Sequence, residues 1–154
     1  MGQAKSTFIG ITGTVRLSAL IREGARLVAR SDFARCLAEE FSGEEVRDIL
    51  VPSWMGELDL VLPVAELRSH GLEPDLSRAH LYATCTVGEH IDDMDGLSVA
   101  VVLHSDGFAF RQCGFEARLR AGDWFVFDDR EVHEVVEQRD ATTLLVLTAP
   151  LNPC

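Results

Sequence analysis

The fold of this chain is decided by residues 80–150, which read HLYATCTVGEHIDDMDGLSVAVVLHSDGFAFRQCGFEARLRAGDWFVFDDREVHEVVEQRDATTLLVLTAP. Short apolar and β-branched runs alternate there with turn residues such as Gly88, Asp95-Gly96, Asp106-Gly107 and Gly122. Runs of this kind between glycine and aspartate turns are typical of β-strands. Eight such runs at near-regular spacing predict an antiparallel barrel or a two-sheet jelly roll.

The preceding residues have a different pattern, because their apolar side chains recur at helical spacing from Arg16 onward. The first of these positions are Leu17, Leu20, Ile21, Leu27 and Val28. We therefore predict an α+β, mainly β fold in which helices of residues 16–50 pack on the outer face of a sheet. The length of 154 residues fits one domain. Residues 1–79 would be its helical support region and residues 80–150 its β core.

Composition narrows the classes of function. A formal net charge of −11 argues against a nucleic-acid partner, whose phosphates are held by Lys and Arg. No apolar run approaches the roughly 20 residues that a membrane helix needs, so no membrane partner is expected. The four cysteines are scattered, with no C-x-x-C pair, which argues against a disulfide scaffold and favours a reducing cytoplasm. The oligomeric state does not follow from the composition.

The tripeptide His90-Ile91-Asp92 is the strongest candidate for chemistry. Side chains of a strand alternate between its two faces, so the imidazole and the carboxylate point the same way. His133 follows in a later strand-like run. Two histidines and one carboxylate form the facial triad of non-haem Fe(II) oxygenases, which leaves open positions for substrate and oxygen. Each residue also has an ordinary interpretation, as a solvated loop pair or as a plain strand residue.

Five features follow one another in this part of the chain. They are the Tyr82-Ala83-Thr84 strand, His90-Ile91-Asp92, the apolar run 97–103, the segment 122–128 and the distal His133. In this order they resemble the Fe(II)- and 2-oxoglutarate-dependent oxygenase superfamily, nearest to its prolyl-hydroxylase-like branch. The resemblance covers roughly residues 80–150. Cupins share the same double-stranded β-helix, but they usually carry H-x-H with a downstream Glu.

The resemblance implies a double-stranded β-helix that binds Fe(II) through His90, Asp92 and His133. It further implies 2-oxoglutarate as cosubstrate and hydroxylation of a small molecule or a protein side chain, and it does not identify that substrate. The turn at Gly122-Asp123 would bring the following strand into the core. In this picture the protein holds the ligands and excludes water, while the cofactor supplies the difficult chemistry.

The resemblance also requires a cation for the far carboxylate of 2-oxoglutarate. Most members place an Arg or Lys on the last strand, where this chain has Thr143. The remaining candidates are Arg111 on a strand, which is preferred, and Arg139 in a predicted turn, with hydroxyl groups from Tyr82 and Thr143 in support. Alternation puts Arg111 opposite Phe108 and Phe110, so Arg111 reaches the cavity only if those two rings face away from it.

Three functions remain open on the sequence. The first is an Fe(II)- and 2-oxoglutarate-dependent dioxygenase. The second is a cupin-like β-helix protein that binds metal or ligand without 2-oxoglutarate turnover, which the missing cation on the last strand favours. The third is an acidic interaction domain without catalysis. Succinate production separates the first from the others, and metal content separates the second from the third.

Overall fold

The computed structural model describes residues 8–32, 34, 61–84, 87–91, 96–137 and 143–154. Its helices and strands are, in chain order, β1 (Thr12–Thr14), α1 (Ala19–Ala29), α2 (Val64–Ser69), β2 (Leu72–Pro74), a 3-10 turn (Leu76–Arg78), β3 (His80–Thr84), β4 (Val87–His90), β5 (Leu97–His104), β6 (Phe108–Gln112), β7 (Phe115–Leu119), β8 (Asp123–Asp128), β9 (His133–Glu137) and β10 (Leu144–Pro153). Within these ranges no helix is long and apolar enough to cross a membrane.

Two antiparallel sheets make up the core. In the described part of the chain, the larger sheet has six strands in the order β1-β8-β5-β10-β2, with β3 also paired to β10. The smaller sheet has four described strands in the order β4-β9-β6-β7. Neighbours in each sheet are mostly distant in sequence, as in a jelly roll. The core is thus the predicted double-stranded β-helix, and the strand-like runs of the sequence correspond closely to β3 and β5–β10. The prediction was wrong at β4, which contains the predicted turn residue Gly88 and ends at His90 before Ile91.

The space between the sheets is filled by every second side chain of the facing strands. On β5 these are Ala100 and Val102, and on β8 they are Phe125 and Phe127, which pack against rings from β6. The alternation of the strand backbone explains this choice, since Val99 and Val101 point to the opposite face. This inner cluster is Ala100, Val102, Phe108, Phe110, Leu119, Phe125, Phe127, Leu144 and Val146.

The outer face of the larger sheet is covered by α1. Ser18 begins this helix, because its side chain accepts a hydrogen bond from the Ile21 N–H at 3.2 Å. Ile21, Ala25 and Ala29 follow one another at intervals of four residues, so they lie on one face and are buried against that sheet. The helix lies where the sequence predicts it. The rest of the helical segment predicted to residue 50 lies almost wholly outside the described residues.

The strand β2 and the turn before β8 both depend on contacts between distant parts of the chain. The segment 71–77, which the sequence predicts to be a loop, contains β2, and Pro74 opposes Leu151 at the far end of β10. Before β8, Gly122 has a φ of 96°, and a Cβ there would lie 2.7 Å from the Val15 carbonyl oxygen. Glycine is required at this turn for both reasons.

Candidate functional site

A cavity of about 460 Å³ lies between the two sheets. This volume is in the range of small-molecule sites, and a mostly apolar lining with a few convergent polar groups is typical of them. Its lining residues are His80, Tyr82, Ala83, Thr84, His90, Ser98, Ala100, Phe110, Leu119, Phe125, Phe127, Asp129, His133, Val135, Leu144, Val146, Thr148 and Pro150. Among these described residues there is no Arg or Lys.

Two of the predicted metal ligands meet in this cavity. His90 at the end of β4 is the cross-strand partner of His133 at the start of β9. Their ring centroids are 4.3 Å apart. The two strands of an antiparallel pair hold directly opposed side chains on the same face, which brings together two residues that are distant in sequence.

Hydrogen bonds determine which nitrogen each ring presents. Nδ1 of His90 lies 2.7 Å from the Gly88 carbonyl oxygen, and Nδ1 of His133 lies 2.8 Å from the Glu131 carbonyl oxygen. A backbone carbonyl can only accept, so Nδ1 is the protonated nitrogen of each ring. Nε2 of each neutral ring then carries the lone pair. This tautomer, with the other nitrogen bonded to a carbonyl, is the one in which histidine commonly binds a metal.

Gln112 holds the loop that positions His133. Its Nε2 donates to the carbonyl oxygens of Asp128 at 2.7 Å and Glu131 at 3.2 Å, and its Oε1 accepts from the Asp128 N–H at 3.0 Å. Gln112 and His133 therefore donate to the same Glu131 carbonyl oxygen. Gln112 is 2% exposed, so these bonds are shielded from water. No motif or spacing in the sequence indicates a role for Gln112.

The surroundings of His133 are apolar. Its ring centroid lies 5.8 Å from that of Phe110 and 5.7 Å from that of Phe127, and the residue is 5% exposed. His90 is only half-buried. The pair therefore has one sheltered and one more accessible member, as expected for a site at the mouth of a cavity.

The third predicted ligand, Asp92, lies outside the described residues, as does Arg139. Within the described ranges no three His, Cys, Asp or Glu side chains come close enough together to hold a metal ion. His90 and His133 are thus the described part of the predicted ligand set, and Asp92 stays a prediction.

Arg111 does not lie where the cosubstrate hypothesis needs it. Phe110 lines the cavity, so its neighbour Arg111 points to the outer face of the smaller sheet. There the guanidinium lies 3.5 Å from a carboxylate oxygen of Glu116 and 3.5 Å from one of Glu134. Two aromatic rings on one face bury more apolar surface in the core than an arginine could, which decides the orientation of the strand.

The two predicted hydroxyl residues are placed differently. Tyr82 on β3 lines the cavity. Thr143, just before β10, is fully buried but is not one of the lining residues. Its Oγ1 has no hydrogen-bond partner within the part of the chain that the structure describes.

Sequence reasoning missed several polar residues of the cavity. The sequence predicts a surface or packing role for His80, which lies in no recognisable ligand spacing, yet His80 shares the inward face of β3 with Tyr82. Ser98 and Thr148 also line the cavity. Asp129 stands in a segment that reads as a turn, yet it is 6% exposed and accepts a hydrogen bond from Ser98 Oγ at 3.1 Å. The period-two spacing of His80 and Tyr82 was the available signal.

No family model matches the chain, and no curated protein matches it either. Among solved structures, protein NMB1881 from Neisseria meningitidis is 19% identical, with a TM-score of 0.37 over 53% of this chain and 75% of its own. A cupin protein from Bacteroides fragilis is 16% identical, with a TM-score of 0.37 over 49% of this chain and 68% of its own. A cupin-2 domain containing protein from Shewanella frigidimarina is 12% identical, with a TM-score of 0.36 over 70% of this chain and 98% of its own. At these scores nothing about activity follows.

Proposed function

We propose that this chain is a cupin-like, metal-binding β-helix protein whose cavity takes a small molecule beside one divalent transition metal. The observation that carries the proposal is the opposed His90 and His133 pair, whose Nδ1 atoms are both bonded to backbone carbonyls. Two imidazoles that present Nε2 lone pairs suit Fe(II), Mn(II), Ni(II) or Zn(II). Asp92 is the proposed third ligand.

The donor set fits such a metal, which when bound would supply a Lewis acid or, as iron, a centre for oxygen chemistry. The chain's own residues have three tasks. The Gly88 and Glu131 carbonyl oxygens orient the imidazoles. Phe110 and Phe127 keep water from the His133 side of the site, and the remaining cavity receives the organic ligand. The four scattered cysteines fit a reducing, cytoplasmic setting as part of the same proposal.

A second candidate is an Fe(II)- and 2-oxoglutarate-dependent dioxygenase, favoured by the histidine pair in the order expected of a facial triad. We rank it below the first, because the described lining of the cavity contains no Arg or Lys to compensate the far carboxylate of 2-oxoglutarate. Arg139 stays the one predicted cation that could change this ranking. An acidic interaction domain is the third candidate, and it would bind no metal.

Metal stoichiometry tests the proposal. The purified protein, loaded anaerobically with Fe(II) or with Mn(II), should carry one metal ion per chain by elemental analysis. His90→Ala and His133→Ala should each abolish stoichiometric binding, because one imidazole and the proposed Asp92 carboxylate are too few ligands to hold the ion. His70→Ala is the matched control, since His70 is exposed and does not line the cavity.

Two outcomes would change the conclusion. One metal ion per chain in the His90→Ala/His133→Ala double variant would show that the ligands are wrong. Succinate formed from 2-oxoglutarate by the iron-loaded protein would promote the dioxygenase above the binding protein.

A further inference from the structure

The cavity carries one carboxylate among its described lining residues, that of Asp129. One hydrogen bond holds the side chain of Asp129 and a second holds its backbone. Ser98 Oγ donates to its Oδ2 at 3.1 Å, and the Asp129 N–H donates to the Gly96 carbonyl oxygen at 2.9 Å. Asp129 is 6% exposed and Ser98 is 4% exposed, so the carboxylate is presented to the cavity rather than to bulk solvent.

The carboxylate lies at the same end of the cavity as His133. Ser98 on β5 is the cross-strand neighbour of Phe127 on β8. The Phe127 ring in turn lies 5.7 Å from the ring of His133. Ser98 and Phe127 thus connect Asp129 to His133 along the lining of one cavity.

The rest of this end of the cavity also favours positive charge. The centroid of Phe110 lies 4.5 Å from that of Phe125 and 5.4 Å from that of Phe127, and all three rings line the cavity. Aromatic faces attract cations, most strongly where water is excluded. The net charge of −11 adds a general potential against anions.

We propose that the cavity selects a small ligand with an apolar body and a cationic amine, which Asp129 binds, and that it discriminates against carboxylates such as 2-oxoglutarate. In a partly desolvated site, a cationic amine gains more binding free energy from the Asp129 carboxylate than a neutral hydroxyl does. A ligand carboxylate is repelled by the same group. The inference deepens the proposed function by assigning a ligand class to the same cavity. It applies to the metal-free cavity, because a bound divalent ion would add positive charge at the same end.

Three probes of similar size test this inference on the metal-free full chain, namely phenethylamine, phenethyl alcohol and phenylacetate. They share a phenyl ring and chain length and differ in the charge of the end group. Calorimetry should give the amine as the tightest, by about tenfold over the alcohol, which corresponds to about 1.4 kcal/mol. Phenylacetate should bind more weakly than the alcohol.

Asp129→Asn should bring amine and alcohol to within about twofold of each other, because the amide keeps the shape and loses the charge. Glu116→Gln is the matched control, as it removes the same charge from the exposed face of the smaller sheet and should preserve the order. If Asp129→Asn does not fold, Ser98→Ala replaces it. That variant keeps the charge, loses the hydrogen bond to Oδ2, and should narrow the preference for the amine.

The inference is overturned if phenylacetate binds as tightly as the amine, if none of the three probes binds, or if the order survives in the Asp129 variant. Metal content is measured on the same preparations, so the two proposals fail separately. Metal binding without a preference for the amine would support the proposed function and contradict the inferred ligand class. A preference for the amine without metal binding would support the inferred ligand class and contradict the proposed metal site.

Discussion

Replacing Gln112 by leucine should destabilise the protein and weaken its metal site together. The substitution keeps the approximate volume of the side chain and removes its three hydrogen bonds to the 128–131 loop. That loop supplies the Glu131 carbonyl oxygen to which His133 Nδ1 donates. A buried amide that links two strands through backbone groups therefore supports both the fold and the site.

The size of the effect follows from the bonds lost. A buried hydrogen bond contributes about 1 kcal/mol net, so three give about 3 kcal/mol. The carbonyl oxygens of Asp128 and Glu131 each keep another donor, the Glu131 N–H at 3.1 Å and His133 Nδ1 at 2.8 Å respectively. Because these two carbonyl oxygens stay hydrogen-bonded, the variant does not lose further unfolding free energy through them. Outer contacts that orient metal-bound histidines commonly change metal affinity by about tenfold or more, and we expect about tenfold here.

The assay is urea unfolding of the metal-free protein, followed by metal titration of the folded variant. Arg111→Ala is the control on the same strand, because its two ion pairs are exposed and 3.5 Å long, and such pairs contribute about 0–1 kcal/mol. If Gln112→Leu unfolds within about 0.5 kcal/mol of the parent protein, the loop is not held by this side chain. If stability falls and metal affinity does not, the link from Gln112 to His133 is wrong.

Three further changes have defined outcomes. Gly122→Ala should lower the free energy of unfolding, measured in urea, more than Gly114→Ala does. Both glycines have positive φ, but of the two only Gly122 would place a Cβ against backbone, 2.7 Å from the Val15 carbonyl oxygen. Equal losses of stability would contradict this close approach. Ser18→Ala should lower the free energy of unfolding by about 1 kcal/mol through loss of the helix cap, and no loss would show that α1 is not capped there. Arg111→Ala should leave affinities of cavity ligands unchanged in calorimetry, and a tenfold change would place its guanidinium at the cavity after all.

The sequence alone was sufficient to predict most of the strands. Alternating β-branched and aromatic residues separated by glycine and aspartate turns predicted strands close to those observed in the described part of residues 80–150. Strand periodicity also implied that residues two apart share a face, which applies to Phe108 and Phe110. Helical spacing likewise predicted a helix at α1 from Leu17, Leu20, Ile21, Leu27 and Val28. Its buried face differs from that pattern, because Ala25 and Ala29 pack with Ile21 while Leu20 and Leu27 are exposed. These features are local, so local sequence carries them.

Which face of each strand lies inward was decided only by the tertiary structure. Strand alternation put Arg111 opposite Phe110 but could not say which of them faces the cavity, because that depends on the second sheet. The pairing of His90 with His133 is likewise a matter of register between β4 and β9, which no spacing along the chain specifies. Asp129 reads as a turn residue, and it becomes a buried lining group because Ser98 from another strand accommodates it. Each of these facts is a contact between residues far apart in sequence, and such contacts exist only once the two sheets have packed.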